Sequence, residues 1–130
     1  MIVLDASAAV DWLLQTPAGR LVQHRIYDSG ESLHAPHLLD LEVTQVLRRL
    51  AREGAISESR ANQAIRDLMD ARITRYPHHA FLPRIWHHRH NLSAYDAAYI
   101  VLAEILSAAL ITRDTRLACA PAHSAKIELF

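Results

Sequence analysis

The first five residues constrain the fold more than any other part of the chain. Ile2, Val3 and Leu4 form a short, fully apolar run, which Asp5 ends before a helix-like stretch begins. A run of this length without polar alternation is typical of a strand buried on both faces, as in a parallel sheet. Because ligands of such sheets gather beyond the carboxyl ends of the strands, Asp5 stands where a functional carboxylate would lie.

Strand-like and helix-like segments alternate along the rest of the chain. The pattern predicts strands at 2–4, 31–35, 73–76, 109–112 and 125–130, helices at 7–15, 17–28, 37–52, 57–71, 78–90 and 93–108, and a short helical turn after Asp114. This alternation predicts an α/β fold with a central, mostly parallel sheet and helices on both faces. No linker or repeat interrupts the sequence, so we expect residues 1–130 to form a single domain.

Composition limits the cellular setting of the chain and its partners. Cys119 is the only cysteine, and no apolar stretch is long enough to span a membrane. We therefore expect a cytoplasmic protein with no disulfide, signal peptide or membrane association. The 14 basic and 14 acidic side chains cancel, whereas nucleic-acid-binding domains are usually basic. However, a metal bound by four acids would leave ten acids against 14 bases, so RNA is not excluded.

Two further acids lie where they can meet Asp5. Asp96 falls within the apolar stripe of helix 93–108, where an unpaired carboxylate is costly, and Asp114 follows the apolar run 110–112. Both also have ordinary structural explanations. Asp96 would occupy the third position of a helix capped by Ser93, and Asp114 would be a turn residue or an N-cap.

A fourth acid can come from the amphipathic helix at 37–52. Asp40 and Glu42 lie on opposite flanks of its apolar face, and helix phase does not choose between them. Unpaired carboxylates about 4 Å apart repel by roughly 4 kcal/mol per pair at an effective dielectric near 20, so a cluster of this kind needs cations. Carboxylate oxygens are ligands that suit Mg²⁺ or Mn²⁺.

These acids stand in four segments that resemble the motifs of PIN domains. The segments are residues 3–7 (VLDAS), 41–43 (LEV), 92–99 (LSAYDAAY) and 110–117 (LITRDTRL). Their order and spacing, with the length of the chain, look most like the VapC-type toxins of toxin–antitoxin modules. The resemblance covers essentially the whole chain and implies a three-layer α/β/α PIN-like domain.

The resemblance also implies a site and an activity. It favours Glu42 over Asp40. The implied metal-binding and catalytic acids, with two supporting hydroxyls, are Asp5, Glu42, Asp96, Asp114, Ser7 and Thr112. The implied activity is Mg²⁺- or Mn²⁺-dependent endonucleolytic cleavage of structured RNA, such as transfer or ribosomal RNA. The implied partners are a second copy of the chain, in a homodimer, and a VapB-like antitoxin.

Other functions remain open on the residues alone. Five histidines between His78 and His90 suggest a zinc site or acid–base catalysis, although His87 and His88 are adjacent and would point about 100° apart on a helix. A phosphatase could use Asp5 as its nucleophile, but Ser7 stands where haloacid dehalogenase-like enzymes carry a second aspartate. A non-catalytic PIN-like interaction domain is the alternative outside enzymes.

Overall fold

The computed structural model describes residues 1–130 and confirms the alternation of strands and helices. The strands are β1 (Ile2–Leu4), β2 (Leu33–Pro36), β3 (Ile73–Tyr76), β4 (Ala109–Thr112) and β5 (Lys126–Leu129). The helices are α1 (Ala6–Leu14), α2 (Pro17–Ser29), α3 (Leu38–Arg52), α4 (Glu58–Asp70), α5 (Leu82–His87), α6 (Ala94–Leu106) and α7 (Thr115–Ala118). A 3-10 helix at His79–Phe81 precedes α5.

The five strands form one parallel sheet in the order β3-β2-β1-β4-β5. The first strand lies at its centre, where Val3 pairs with His34 of β2 on one side and Leu110 of β4 on the other. All three residues of β1 are fully buried, which confirms that both faces of the strand are covered. The carboxyl ends of β1 and β4 therefore meet at one edge of the sheet, with Asp5 directly beyond β1.

Helices form the outer layers of the expected α/β/α arrangement. Helix α1 packs against α2, α3 and α4, whereas α6 packs on β1, β2 and β4 and against α5. Every residue of α6 from Ala97 to Ala103 is buried, so this helix lies deep in the core. None of the helices has the length and apolar character needed to cross a membrane.

The close approach of α1 and α2 depends on a glycine. A Cβ atom on Gly19 would lie 1.8 Å from the carbonyl oxygen of Asp11, so no other residue fits this position without moving the two helices apart. Thr16 caps α2 by accepting a hydrogen bond from the Gly19 backbone N–H, and Pro17 occupies the first turn. This crossing also positions Asp11, which binds Arg113 beside the candidate site.

The predicted helix at 78–90 is wrong in its extent. Only Leu82–His87 is α-helical, and residues 88–92 form turns in which the His88 N–H bonds the Ile85 carbonyl. Pro83 lies in the first turn of α5, because a proline that lacks an N–H is tolerated there and not farther along a helix. The second strand is also displaced, since it begins at Leu33 instead of residue 31 and includes Pro36.

Candidate active site

Asp5 anchors a polar cluster at the carboxyl edge of the sheet. Its residue surface is only 6% exposed, and its Oδ2 accepts hydrogen bonds from the hydroxyls of Ser7 (2.6 Å) and Thr112 (2.8 Å). Asp5 occupies the N-cap position of α1 without making a side-chain cap, and Ser7 lies inside the helix. The carboxylate is therefore free of a capping role.

The two hydroxyls connect Asp5 to the chain that leaves β4. The Arg113 N–H donates to the Ser7 Oγ at 2.9 Å, and the Asp114 N–H donates to the Thr112 Oγ1 at 3.0 Å. Each hydroxyl thus accepts a backbone N–H and donates its own proton to Asp5. Both positions that the resemblance implies as supporting hydroxyls hold this carboxylate in one orientation.

Glu42 reaches the cluster from the second turn of α3. Burial, and after it the negative charges of Asp5 and Asp96, raise the pKa of Glu42 from its ordinary value of 4.5 to about 7. Its Oε1 is buried and has no hydrogen-bond partner. An unpartnered buried carboxylate oxygen next to two other acids is a position at which a cation would be stabilising.

Asp40, the alternative to Glu42, lies on another part of the surface. Its Oδ2 accepts a hydrogen bond from the Arg75 Nε at 2.7 Å, so Asp40 forms an ion pair with the side chain of Arg75 on β3. Because the two acids flank the apolar face of α3 on opposite sides, only one of them can face Asp5. The structure brings Glu42 to the cluster, in agreement with the resemblance.

Asp96 lies at the start of α6, where Ser93 is the N-cap and accepts the Asp96 backbone N–H at 3.1 Å. The capping expectation for Ser93 is therefore confirmed. The pKa of Asp96 is raised above its ordinary value, mainly by burial and then by the nearby charges of Asp5 and Asp114, while Ser93 and Arg116 oppose this shift. The helix start thus directs a second destabilised carboxylate toward Asp5.

Asp114 caps the short helix α7, as one interpretation of the sequence proposed. Its Oδ1 accepts the Arg116 backbone N–H at 2.8 Å, and its Oδ2 lies 3.4 Å from the Arg116 guanidinium. Burial raises the pKa of Asp114, but hydrogen bonds from Arg116 and Leu117 outweigh it and lower the pKa below its ordinary value. The charge of Asp114 is close enough to raise the pKa of Asp96, but both carboxylate oxygens of Asp114 already contact Arg116.

Two residues at the site escape prediction from the motifs. Tyr99 is fully buried, and its hydroxyl lies near Glu42, Asp5 and the Ala6 backbone without forming a hydrogen bond of standard geometry. Burial and the two acids raise its pKa, so the phenol stays protonated. A tyrosine three residues after Asp96 on the same helix is the signal that could have identified it. Arg116 is the second, since its side chain is 91% exposed beside Asp114.

The cluster suits a divalent ion in the chemistry of its donors, although no cage is preformed. No three His, Cys, Asp or Glu side chains anywhere in the chain converge closely enough to hold one metal ion together. Mg²⁺ usually keeps several waters and binds proteins through one or two carboxylates, so it does not need such a cage. The unpartnered Oε1 of Glu42 and the exclusively oxygen donors therefore fit Mg²⁺ or Mn²⁺.

The histidines do not form a competing metal site. A structural zinc ion requires four converging ligands, and no group of three is present. The rings of His87 and His88 meet edge to face, with centroids 5.8 Å apart, and His88 is buried. This cluster lies near Glu104 and His123, away from the acids.

Comparison with known proteins gives the family. The model of the PIN domain matches residues 2–122. The VapC ribonuclease Mb0985 of Mycobacterium bovis is 44% identical over 117 residues, which cover 90% of this chain and 88% of the relative. Ribonuclease VapC12 of Mycobacterium tuberculosis is 40% identical over 129 residues, covering 99% and 98% of the two chains.

The fold comparison agrees with the sequence comparison. The crystal structure of PAE2754 from Pyrobaculum aerophilum superposes with a TM-score of 0.71 at 24% identity, over 97% of this chain and 81% of the other. At this identity the superposition shows a shared fold, whereas the relatives at 40–44% identity show the family. The chain is therefore a member of the PIN domain family and, within it, belongs with the VapC ribonucleases.

Proposed function

We propose that this protein is a Mg²⁺- or Mn²⁺-dependent endoribonuclease that acts as the toxin of a toxin–antitoxin module in the cytoplasm. Its substrate is structured RNA, and it works as a homodimer that a VapB-like antitoxin inhibits. The proposal rests on the ribonuclease relatives and, in the structure, on one observation. That observation is the buried, unpartnered Oε1 of Glu42 in a group of acids that burial and mutual repulsion destabilise.

Each acid has a distinct part in the proposed site. One or two of Asp5, Glu42 and Asp96 would bind the ion directly and the others would bind it through its water ligands, with Asp114 at the border of the cluster. When bound, a divalent ion supplies Lewis-acid polarisation of the scissile phosphate and acidifies a water molecule. The hydrogen bonds from Ser7 and the threonine of β4 use only Oδ2 of Asp5, so its Oδ1 has no side-chain donor within the protein.

The remaining side chains position the substrate and the proton. Glu42, with a pKa of about 7, can carry a proton on its carboxyl group near neutral pH when no cation is present. The guanidinium of Arg116 is highly exposed and lies at 3.4 Å from Asp114, so it can turn to a phosphate of bound RNA. The phenol of Tyr99 excludes water from the floor of the site.

The antitoxin would bind elsewhere, in an apolar surface cavity between α1, α2 and α4. This cavity has a volume of about 830 Å³ and lies at the amino end of the strands, opposite the acids. Trp12, Leu13, Ile26, Tyr27 and Leu33 supply its apolar lining. An apolar groove of this kind suits the apolar face of an amphipathic partner helix.

Sequencing of RNA 5′ ends after induced expression would test the activity. The wild-type chain should create new 5′ ends at discrete sites, and Asp5→Asn should remove them while the folded structure, measured by circular dichroism, persists. A loss of about a thousandfold in rate corresponds to roughly 4 kcal/mol of transition-state stabilisation. Asp40→Asn is the matched control, because Asp40 lies outside the cluster and should retain cleavage.

The outcomes separate the remaining alternatives. Wild-type expression that leaves RNA ends unchanged, with a purified protein that binds RNA but does not cut it, would favour a non-catalytic interaction domain. Cleavage that survives Asp5→Asn would place the chemistry outside the acidic cluster. Loss of cleavage in Asp40→Asn but not in Glu42→Gln would assign the catalytic role on α3 to Asp40 and exclude Glu42.

A further inference from the structure

The last two turns of α3 carry a concentrated positive surface. Arg48, Arg49 and Arg52 are all exposed, and with Gln45 and Glu53 they border a cavity of about 390 Å³. We call these three arginines the α3 arginine surface. Three of the thirteen arginines of a chain with zero net charge thus lie within five residues. This surface is separate from the acidic cluster and from the apolar cavity.

The guanidinium groups of this surface are largely unpaired within the protein. Arg48 and Arg52 make no ion pair and no side-chain hydrogen bond, and Arg49 has only a 3.6 Å contact with Glu53 in which both side chains are 56% exposed. An exposed pair of this kind contributes little. In contrast, Arg25 and Arg75 bind carboxylates at 2.7–2.8 Å. The α3 arginine surface therefore offers two guanidinium groups without an acidic partner and a third with only a weak one.

The helix dipole explains only part of this arrangement. Cations in the last turn interact favourably with the C-terminal end of a helix, which accounts for Arg49 and Arg52. The effect decreases within that turn, so it does not account for Arg48. Exposed like charges on neighbouring helical positions also repel one another. An external polyanion would remove this repulsion.

Helix geometry relates the α3 arginine surface to the candidate site. Arg49 follows Glu42 by seven residues, so on an α-helix it points within about 20° of the same direction and lies ~10 Å farther along the axis. Arg52 lies ~15 Å from Glu42 along that axis. At the ~3.4 Å rise per nucleotide of a duplex strand, these distances correspond to about three or four nucleotides. A strand at the acids can therefore continue along α3.

We propose that the α3 arginine surface binds the RNA backbone about three or four nucleotides from the phosphate held at the acidic cluster. The inference rests on the proposed function and adds to it a second contact region on the substrate. Guanidinium groups form bidentate contacts with phosphates, which suits them to this role. Because these arginines lie far from the reacting phosphate, they contribute to RNA binding and not to the chemical step.

The dependence of RNA binding on salt tests this proposal. The combined variant Arg48→Gln, Arg49→Gln and Arg52→Gln is compared with the wild type. The matched control replaces three other exposed arginines, Arg20, Arg66 and Arg72, by glutamine. The probe is a labelled uridine oligomer of about 12 nucleotides, with affinity measured by fluorescence anisotropy in EDTA from ~50 to ~200 mM salt.

Removing one arginine–phosphate interaction with a single strand lowers the salt slope by about 0.7, so the α3 variant should show a slope smaller by about 2. The control should change much less, although its net charge falls by the same amount. Melting curves check that both variants fold, and Arg49→Gln alone, with a decrease of about 0.7, replaces the combined variant if that one does not. In cleavage assays with Mn²⁺, the α3 variant should raise KM and leave kcat unchanged.

Several outcomes would overturn the inference. An unchanged slope in the α3 variant, or an equal change in the control, would mean that the surface makes no particular contact with RNA. Normal RNA binding with weakened binding of a protein partner would assign the surface to that partner. The proposed function fails separately, because binding in EDTA requires no catalysis: a wild type that binds through these arginines but never cleaves RNA would overturn only the activity.

Discussion

The raised pKa of Glu42 makes a specific prediction about stability without metal. Burial and the neighbouring acids hold this pKa at about 7, compared with 4.5 in the unfolded chain. Between these pH values the folded state binds more protons than the unfolded chain, so the contribution of Glu42 to the free energy of unfolding falls as pH rises. Glu42→Gln removes the titration while preserving shape, and should make the metal-free protein more stable above pH 7.

The size of the effect follows from the shift. A pKa difference of one unit between the folded and unfolded states is worth about 1.4 kcal/mol, so the shift of Glu42 would lower the free energy of unfolding by roughly 3 kcal/mol. Because Glu42 is only partly buried and water screens its charge, we reduce this value to about 1–2 kcal/mol. In a domain of this size, 1 kcal/mol changes Tm by about 4 °C. We therefore expect Glu42→Gln to melt about 4–8 °C higher than the wild type at pH 8, and nearly equally at pH 5.

Thermal and urea unfolding in EDTA, from pH 5 to 8, would measure this difference. Taking the difference between variant and wild type cancels the histidines, since both proteins carry all nine. Glu53→Gln, at the exposed C-terminal end of the same helix, is the control and should show no such pH dependence. A difference that stays constant with pH, or a Glu42→Gln variant that is less stable at pH 8, would refute the electrostatic reasoning.

Two further predictions concern metal and the antitoxin. Mn²⁺ at a hundredfold excess over its dissociation constant should raise the free energy of unfolding of the wild type by about 2.7 kcal/mol. Asp96→Asn should reduce this gain. Identical melting curves for the two proteins at every Mn²⁺ concentration would argue against the metal site. Tyr27→Asp, at a position that is 66% exposed in the apolar cavity, should weaken antitoxin binding in calorimetry and leave RNA cleavage unchanged. A parallel decrease in cleavage would mean that the cavity and the acids are not independent.

The sequence predicted the core of this fold well because the informative segments are local. The length of the apolar run before Asp5 predicts a buried strand, and the period of the apolar residues in α6 predicts a helix. The alternation of such strands and helices along the chain predicts the parallel sheet. The region from His78 to His90 was harder, since its helical propensity does not reveal that turn hydrogen bonds end the helix at His87. Its histidines also gave no sign that His88 alone would be buried.

The sequence predicted which acids the candidate site contains, but not the contacts that these acids make with other side chains. Helix phase left Asp40 and Glu42 equal, and the resemblance to PIN domains favoured Glu42. The physical reason, which is that Asp40 binds Arg75 on the opposite flank of α3, is visible only in the structure. The spacing from Asp96 points to Tyr99, but its proximity to Glu42 brings together residues 57 positions apart, which no local pattern contains. The role of the acids as metal ligands stays a prediction.

The pairing of β1 with β4 also determines when the site can exist during synthesis. Asp5 and the hydroxyl of Thr112 that holds it are separated by 107 positions in the chain. At about 5–20 residues per second, a ribosome needs roughly 5–20 s to make that stretch. Until then Asp5 lacks β4, the hydroxyl of Thr112 and the last of the acids, Asp114. For the endoribonuclease proposed above, this order of assembly leaves the nascent chain without a complete site while messenger and ribosomal RNA lie beside it.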